Sequence, residues 1–490
     1  MKHVLAIDEG TTGVTCLMIR EDGTIAGRGY REITQHFPQP GWVEHDADEI
    51  FTRTLESARE AIAASGANPE TIGITNQRET VVIWDRVSGK PVSRAIVWQD
   101  RRTTARCNEL RNDEDRIAKT TGLKLDPYFS ATKLGYMLRE HGLASRASKG
   151  ELAAGTIDTW LIWKLTGGTE HVTDPSNASR TMLYDIEAGR WSDEMCELFS
   201  VPKQILPEVR PSSGDFGITK ADIFGRPIPI NGVAGDQQAA LFGQGCWKAG
   251  EGKNTYGTGA FLLVNTGLVR PQQGAGLLTT IACDERGAHA FALESSIFIA
   301  GAAVQWLRDG LGIIGSASET EALARSLDSN DGVYFVPALV GLGAPHWEPD
   351  ARGMIVGLTR GTARAHLARA ALEAMAFGTA DVLTSMQTMS GVSFQRLRVD
   401  GGASANDWLM QFQADMLGVP VERPDMIETT AFGAGGLAGI SRGVWASASE
   451  FLGSRKFTTF NPSEKRADVL RSAEGWKRAV NAVLFHARAV

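Results

Sequence analysis

No two of the five cysteines (Cys16, Cys107, Cys196, Cys246 and Cys283) stand in C-x-x-C spacing, and their number is odd. This argues against a cysteine zinc site and for a reducing compartment, so a cytoplasmic location is expected. The net charge of -7 and the lack of a dense Lys/Arg run leave no basic footprint for nucleic acid. No apolar stretch approaches the length of a membrane span, and the run from Ile297 to Val304 reads as a buried helix. The first apolar run stops at Asp8, too soon for a signal peptide. G-x-x-x-x-G-K-S/T does not occur, so a phosphate site in this chain is not a Walker loop.

Glycine is abundant, with 54 residues, many in short clusters between apolar runs where backbone can approach a ligand closely. The most telling cluster opens the chain. Val4-Leu5-Ala6-Ile7 ends at Asp8, and Glu9-Gly10-Thr11-Thr12-Gly13 leads into a second apolar run, Val14 to Ile19. Such a hairpin turn presents successive backbone N–H groups beside two hydroxyls, an anion cradle suited to phosphate. A carboxylate at a strand tip, as at Asp8, can hold a divalent cation directly or through water. Together these features imply ATP-dependent phosphoryl transfer.

At 490 residues the chain exceeds one ordinary core, and two large domains are expected, with room for a third. The first third reads as α/β. A meander (Val4–Ile7, Val14–Ile19, Thr24–Arg28) precedes a helix that Asp46-Ala47-Asp48-Glu49 would open as a capping box, with His45 solvated beside it. Strands Ile72–Ile74, Val81–Trp84 and Ala95–Trp98 bracket the polar clusters Thr75–Thr80 and Gln99–Arg102. Polar residues at strand ends are where ligands meet open α/β sheets. An ordinary charged loop suffices for Arg101 and Arg102, but less so for Arg78 and Glu79, hemmed between apolar strands.

The pattern restarts further on. Val233-Ala234-Gly235-Asp236 is a strand ending in a carboxylate. Asn254-Thr255-Tyr256-Gly257-Thr258-Gly259 then repeats the glycine-threonine turn before the strand Ala260–Val264. Two such turns suggest a duplicated core with a cleft between halves, each clasping one end of a phosphate chain. The boundary falls near Cys246–Gly250, giving 1–246 and 247–490. Asp236 is the candidate general base, since phosphoryl transfer to an alcohol needs a carboxylate to accept the hydroxyl proton; a helix start is the plainer alternative. Gly433-Ala434-Gly435-Gly436-Leu437-Ala438 imitates a dinucleotide fingerprint without the preceding strand, so helix packing or nucleotide contact is expected. Val399-Asp400-Gly401-Gly402 to Asn406 reads as a strand, a glycine pair and a helix start, open to a flat base. Leu367, Ala371 and Met375 form a helical stripe read as core.

Several longer stretches resemble the glycerol kinase branch of the FGGY carbohydrate kinases, within the actin, hexokinase and heat-shock ATPase superfamily. They are Pro40 to Asp46, Ile74 to Thr80, Asp126-Pro127-Tyr128-Phe129-Ser130, Thr173 to Met182, Gly235 to Gln244, Asn254 to Gly259, Gln305-Trp306-Leu307-Arg308-Asp309 and Leu342-Gly343-Ala344-Pro345. The resemblance runs from the first strand to the last helix. It implies two duplicated ribonuclease H-like domains with a central cleft. It also implies transfer of the ATP γ-phosphoryl group to glycerol with Mg²⁺, and dimers or tetramers. By the same resemblance Arg78, Glu79, Tyr128, Asp236 and Gln237 would hold the glycerol hydroxyls, and Trp98 and Phe261 its carbons. Thr11, Thr12, Thr258, Gly301, Gln305, Gly402 and Asn406 would contact the nucleotide. Asp8, with Asp236, would organise the metal. The alternatives are a kinase for another small polyol or sugar and a non-enzymatic nucleotide switch. The chain departs from the family pattern at Glu9, where glutamine is usual, and at Thr15, where arginine is frequent. It also departs at Lys220 to Pro227, which lacks the glycine run of a fructose 1,6-bisphosphate loop, so no such inhibition is expected.

Overall fold

The computed structural model describes every residue except Ile427, Ser454 and Val490. The chain forms two compact units, each gathered from three segments. Met1–Trp247, Thr279–Ala292 and Glu428–Arg455 make the first; Lys248–Leu278, Leu293–Ile427 and Lys456–Val490 make the second.

In the first unit, strands β1 (His3–Glu9), β2 (Gly13–Arg20), β3 (Ile25–Glu32), β4 (Thr71–Asn76) and β5 (Ile230–Gly235) lie in the order β5-β4-β1-β2-β3. β1 to β3 form the antiparallel meander, while β4 and β5 run parallel to β1. Val4, Leu5, Ala6 and Ile7 are all completely buried. A strand covered on both faces carries an unbroken apolar run, as these four residues do. The register sets Asp8 opposite Thr75, and Thr75 opposite Ala234. Three parallel strands therefore finish at one edge, and β5 passes straight into the helix Asp236–Gly243.

The helix Thr429–Ser441 packs on this sheet at a separation only glycine permits. A Cβ on Gly73 would stand 2.1 Å from Ala434 O, and one on Gly433 would stand 1.8 Å from Ala239 O. The Gly433–Gly436 cluster is thus a packing device that lets two helices and the sheet approach closely, not a dinucleotide turn.

The second unit repeats the pattern. β6 (Glu251–Tyr256) and β7 (Ala260–Gly267) form a hairpin, β8 (Arg396–Asp400) runs parallel to β6, β9 (Val421–Pro424) parallel to β8, and β10 (Phe457–Phe460) closes antiparallel. Its core is organised by the helix Arg364–Ser390. Ala371 and Met375 are buried as the stripe predicts, and Leu367 packs partly against them. Most other positions of this helix are buried too, so it is enclosed rather than amphipathic. Phe377 sits between Phe412 and Trp476, with ring centroids 5.5 Å apart in both pairs.

Four local expectations are corrected. The run Ile297 to Val304 is the end of the strand His289–Ile297 followed by the short helix Gly301–Gln305. Residues 300 and 302 donate their N–H groups to Thr258 O and residue 301 to Gly257 O, so they cannot all join one helix. Only Ala95–Ile96 of the expected strand Ala95–Trp98 is extended. Asp46 does cap the helix Ala47–Ser65, accepting from the N–H groups of Asp48 and Glu49, but Glu49 turns its carboxylate to Thr34 instead of closing a box. His45 is completely buried rather than solvated, and burial pushes its pKa down to about 4.

Candidate functional site

The edge where β1, β4 and β5 end gathers most of the residues singled out in the first half of the chain. Arg78 and Glu79 follow β4 and are almost fully buried, as their apolar flanks foretold. Arg78 Nε lies 3.1 Å from Asp236 Oδ1 and its Nη1 donates to Gln238 Oε1 at 3.3 Å. Asp236 opens its helix, and Oδ1 also accepts the Gln237 N–H at 2.7 Å. With Oδ1 so engaged, the Asp236 side chain remains 34% exposed. Trp98 donates its indole N–H to Thr11 Oγ1 at 2.9 Å and meets the Tyr128 ring edge-on at 5.5 Å between centroids. Trp98, Tyr128 and the phosphate-type turn are thereby linked.

Asp8 stands at the same edge, partly open. Its pKa is pushed up to about 7, chiefly by burial and further by the charge of Asp236. Glu9, completely buried, is held well above the usual carboxylate range by burial, although Gln77 Nε2 donates to its Oε1 at 3.0 Å. Among the described residues its Oε2 has no hydrogen-bond partner. Among the described residues the N–H groups of Thr11 and Thr12 have no acceptor, whereas Gly10 N–H closes the turn on Gly13 O at 3.0 Å. Two amides and the Thr12 hydroxyl are left for an anion.

Arg102 differs from the ordinary loop cation expected. Its side chain is 4% exposed, its guanidinium grips Asp100 through two nitrogens, and it lies 3.8 Å from the Trp42 ring centroid. Arg101 does remain at the surface, paired with Asp126. Sequence reasoning assigned no role to two buried cations beside this site. Arg180 donates from Nε to Glu79 Oε1 at 2.6 Å, and Lys133 donates from Nζ to Tyr128 O at 2.5 Å. Burial pulls Lys133 down to about 7. Arg180 lies in the family-like stretch Thr173 to Met182, but no local feature of that stretch or of the one around Lys133 marked either residue for this site.

The second unit holds a separate cavity of about 510 Å³. Five of the seven residues expected at the nucleotide line it: Thr258, Gly301, Gln305, Gly402 and Asn406. Thr11 and Thr12 do not; they sit in the first unit's turn. Tyr256, Val304, Leu372, Met375 and Ala403 give the cavity an apolar wall, and Ser318, Thr320 and Glu321 a polar one that sequence reasoning missed. Asn406 caps the helix Asp407–Leu417 by accepting the Leu409 N–H, and its amide nitrogen donates to Thr320 Oγ1 at 3.3 Å. Phe261, on β7, is 42% exposed and does not line this cavity.

With this geometry stand the sequence comparisons. The N-terminal domain description of the FGGY family of carbohydrate kinases matches residues 3–243, and its C-terminal domain description matches residues 252–442. The chain belongs to the FGGY family of carbohydrate kinases. A glycerol kinase of Rhodopirellula baltica is 54% identical over 98% of this chain and 90% of its own length. One of Deinococcus radiodurans is 52% identical over 98% of this chain and 97% of its own. A solved structure, Plasmodium falciparum glycerol kinase with ADP, superposes with a TM-score of 0.94 at 36% identity, covering 99% of this FGGY chain and 98% of that one.

Proposed function

We infer that this FGGY kinase transfers the γ-phosphoryl group of ATP to glycerol, giving sn-glycerol 3-phosphate. The observation that carries the reading is the constellation at the strand edge. A part-exposed Asp236 carboxylate is held by Arg78 through Oδ1, beside the buried acceptor Glu79. A triol needs acceptors, donors and an apolar contact in one place, and Glu79, Arg78, Tyr128, Gln237 and Trp98 provide them. Relatives named glycerol kinase at 52–54% identity over nearly the whole chain support the same substrate.

The roles we propose are these. Arg78 Nε and the Gln237 N–H fix Oδ1 of Asp236, so Oδ2 takes the proton of the attacking hydroxyl. Arg78 and Gln237 would donate to the polyol, Glu79 would accept from it and Trp98 would cover its carbons; for Phe261 the same role rests on the family resemblance alone. The cavity of the second unit takes the adenine nucleoside through Gly301, Gln305, Gly402 and Asn406. The turns carrying Thr11, Thr12 and Thr258 offer N–H and hydroxyl groups to phosphate oxygens.

The residues present fit Mg²⁺. Two carboxylates at one edge, one of them raised by burial and then by the other's charge, are relieved by a divalent cation. Among the described residues no cluster of three His, Cys, Asp or Glu could hold a metal alone. That agrees with an ion that keeps waters, binds one or two carboxylates and takes its other ligands from substrate phosphates. When bound, the ion offsets charge on the transferred group.

The polyol site and base are assigned to 1–246 and the nucleoside cavity to 247–490. A homodimer or homotetramer is the assembly proposed, which sedimentation tests. The cytoplasm is the proposed location; all five cysteines are free, and among the described residues no helix is long and apolar enough to cross a membrane. The decisive experiment is a coupled ADP-release assay with glycerol, erythritol and xylitol, with the product identified by a stereospecific glycerol 3-phosphate dehydrogenase. Glycerol is expected to be preferred; preference for a longer polyol overturns the assignment.

A further inference from the structure

Glu79 is held in a conformation that residues other than glycine seldom adopt. Its φ is +62°, and the Thr80 N–H reaches back to Arg78 O at 2.8 Å, closing a three-residue γ-turn of positive φ. Such a turn costs free energy and persists only where its surroundings over-determine it. Here they do. Ser130 Oγ donates to Glu79 O at 3.1 Å, and Arg180 Nε donates to Glu79 Oε1 at 2.6 Å. Arg180 is completely buried and 101 residues away in sequence.

The segment that carries Arg180 is itself anchored at both ends of the site. Asn177 and Asn76 exchange amide hydrogen bonds, each 3.1 Å long. Ser176 Oγ accepts the N–H of Gly235, the residue before Asp236, at 2.9 Å. Thr181 O accepts the Ala131 N–H at 2.8 Å, which binds the Ser130 segment to the Arg180 segment. One short stretch thus braces the acceptor Glu79 and the strand end that presents Asp236.

We propose that Arg180 is a positioning residue that fixes the plane of the Glu79 carboxylate, and that this fixation sets how strictly the site demands each free hydroxyl of its triol. A carboxylate gripped by a planar guanidinium is held in one plane, so its lone pairs point along set directions. An untied carboxylate in the same place turns to other donors, and a missing hydroxyl is no longer felt as an unpaired acceptor. The inference rests on the glycerol reading above.

The test compares kcat/KM for glycerol, propane-1,2-diol and propane-1,3-diol, the two diols each lacking one hydroxyl. The proteins are the unmodified chain, Arg180→Met, Arg180→Lys and Ser130→Ala. The unmodified chain is expected to penalise at least one diol by ~10³-fold or more. Arg180→Met should lower glycerol turnover by ~10²-fold while leaving that diol within about threefold, so the penalty shrinks. Arg180→Lys keeps the charge without the fork and should fall between. Ser130→Ala, which loses one hydrogen bond and little volume, should move the same ratio in the same direction by less. Equal losses on glycerol and both diols, with the ratio unchanged, overturn the proposal in favour of a merely structural role. If Arg180→Met does not fold, the ratio in the other two variants decides. Failure of the unmodified chain to phosphorylate glycerol refutes the functional reading instead, and is read from that protein alone.

Discussion

The hairpin of β1 and β2 and the hairpin of β6 and β7 are the same device in two electrostatic versions. In each, a parallel strand joins the first hairpin strand, Asp8 facing Thr75 in one and Thr255 facing Asp400 in the other. In each, a turn rich in glycine and threonine crosses between the strands. The residue before the turn differs in kind. In the first unit it is Glu9, with Asp8 before it and Asp236 nearby, and burial first, then neighbouring carboxylate charge, raises the pKa of Asp8 and Glu9. In the second it is Tyr256, completely buried, whose hydroxyl donates to Gln413 Oε1 at 2.7 Å beside an apolar-walled cavity. One topology therefore serves two chemistries. On the proposed reading, the backbone supplies an anion-accepting turn in both, and the side chains just before it suit one place to protons and cations and the other to a flat nucleoside.

Asp236→Asn should have the largest effect on that contrast. It removes proton acceptance while keeping the shape, and kcat is expected to fall by ~10³-fold or more with a smaller change in KM. Near-normal kcat in a steady-state assay would remove the residue from the base role.

Asp8→Asn should lower kcat by ~10²-fold yet stabilise the protein free of ligand. The sign follows from the raised pKa. A carboxyl whose folded-state value is about 7, against 3.8 when unfolded, costs the folded state nothing below the unfolded value. It costs progressively more as pH rises between the two values, and the loss is complete above the higher. Unfolding at pH 8 without Mg²⁺ should therefore show a higher Tm for Asp8→Asn, by several degrees, with little difference at pH 4. A Tm at pH 8 equal to or below that of the unmodified chain would mean that Asp8 carries no such burden.

Arg78→Ala should raise KM for glycerol by ~10- to 100-fold, in line with loss of a charge-assisted hydrogen bond, while KM for ATP stays near its original value. Parallel changes in both constants would break the division of labour between the units. The smallest effect is expected from Tyr256→Phe. Loss of the hydroxyl leaves the buried Gln413 acceptor short of a donor, at a cost of ~1–3 kcal/mol in stability measured by urea denaturation, with the polyol KM unchanged. A shifted polyol KM would show that this tyrosine serves more than the second unit's core.

Legibility from sequence followed the range of the interaction. Strand β1, the turn after it, the strand running into Asp236 and the buried helix through Met375 were readable because each is written locally, as apolar runs that stop at polar residues. Arg78 and Glu79 were readable for the same reason. The errors concern residues whose environment is assembled from afar. His45 reads as solvated at a helix start, but tertiary packing buries it. The run Ile297 to Val304 reads as one helix, but its middle N–H groups belong to the Gly257–Gly259 turn. Arg180 and Lys133 sit in segments that look structural, and nothing local announces which carboxylate or carbonyl they will meet.

Amino-acid order alone determined where strands stop, which residues stand at those stops and that the pattern occurs twice, because alternation, glycine freedom and turn chemistry act over a few residues. The tertiary structure decided that Asp8 and Asp236 share an edge and that Arg180 crosses 101 residues to tie down Glu79. It also decided that the Gly433 cluster serves helix packing. These outcomes depend on strand register and buried pairing between distant segments. The free energies that select them exist only once the chain has closed around the groups involved.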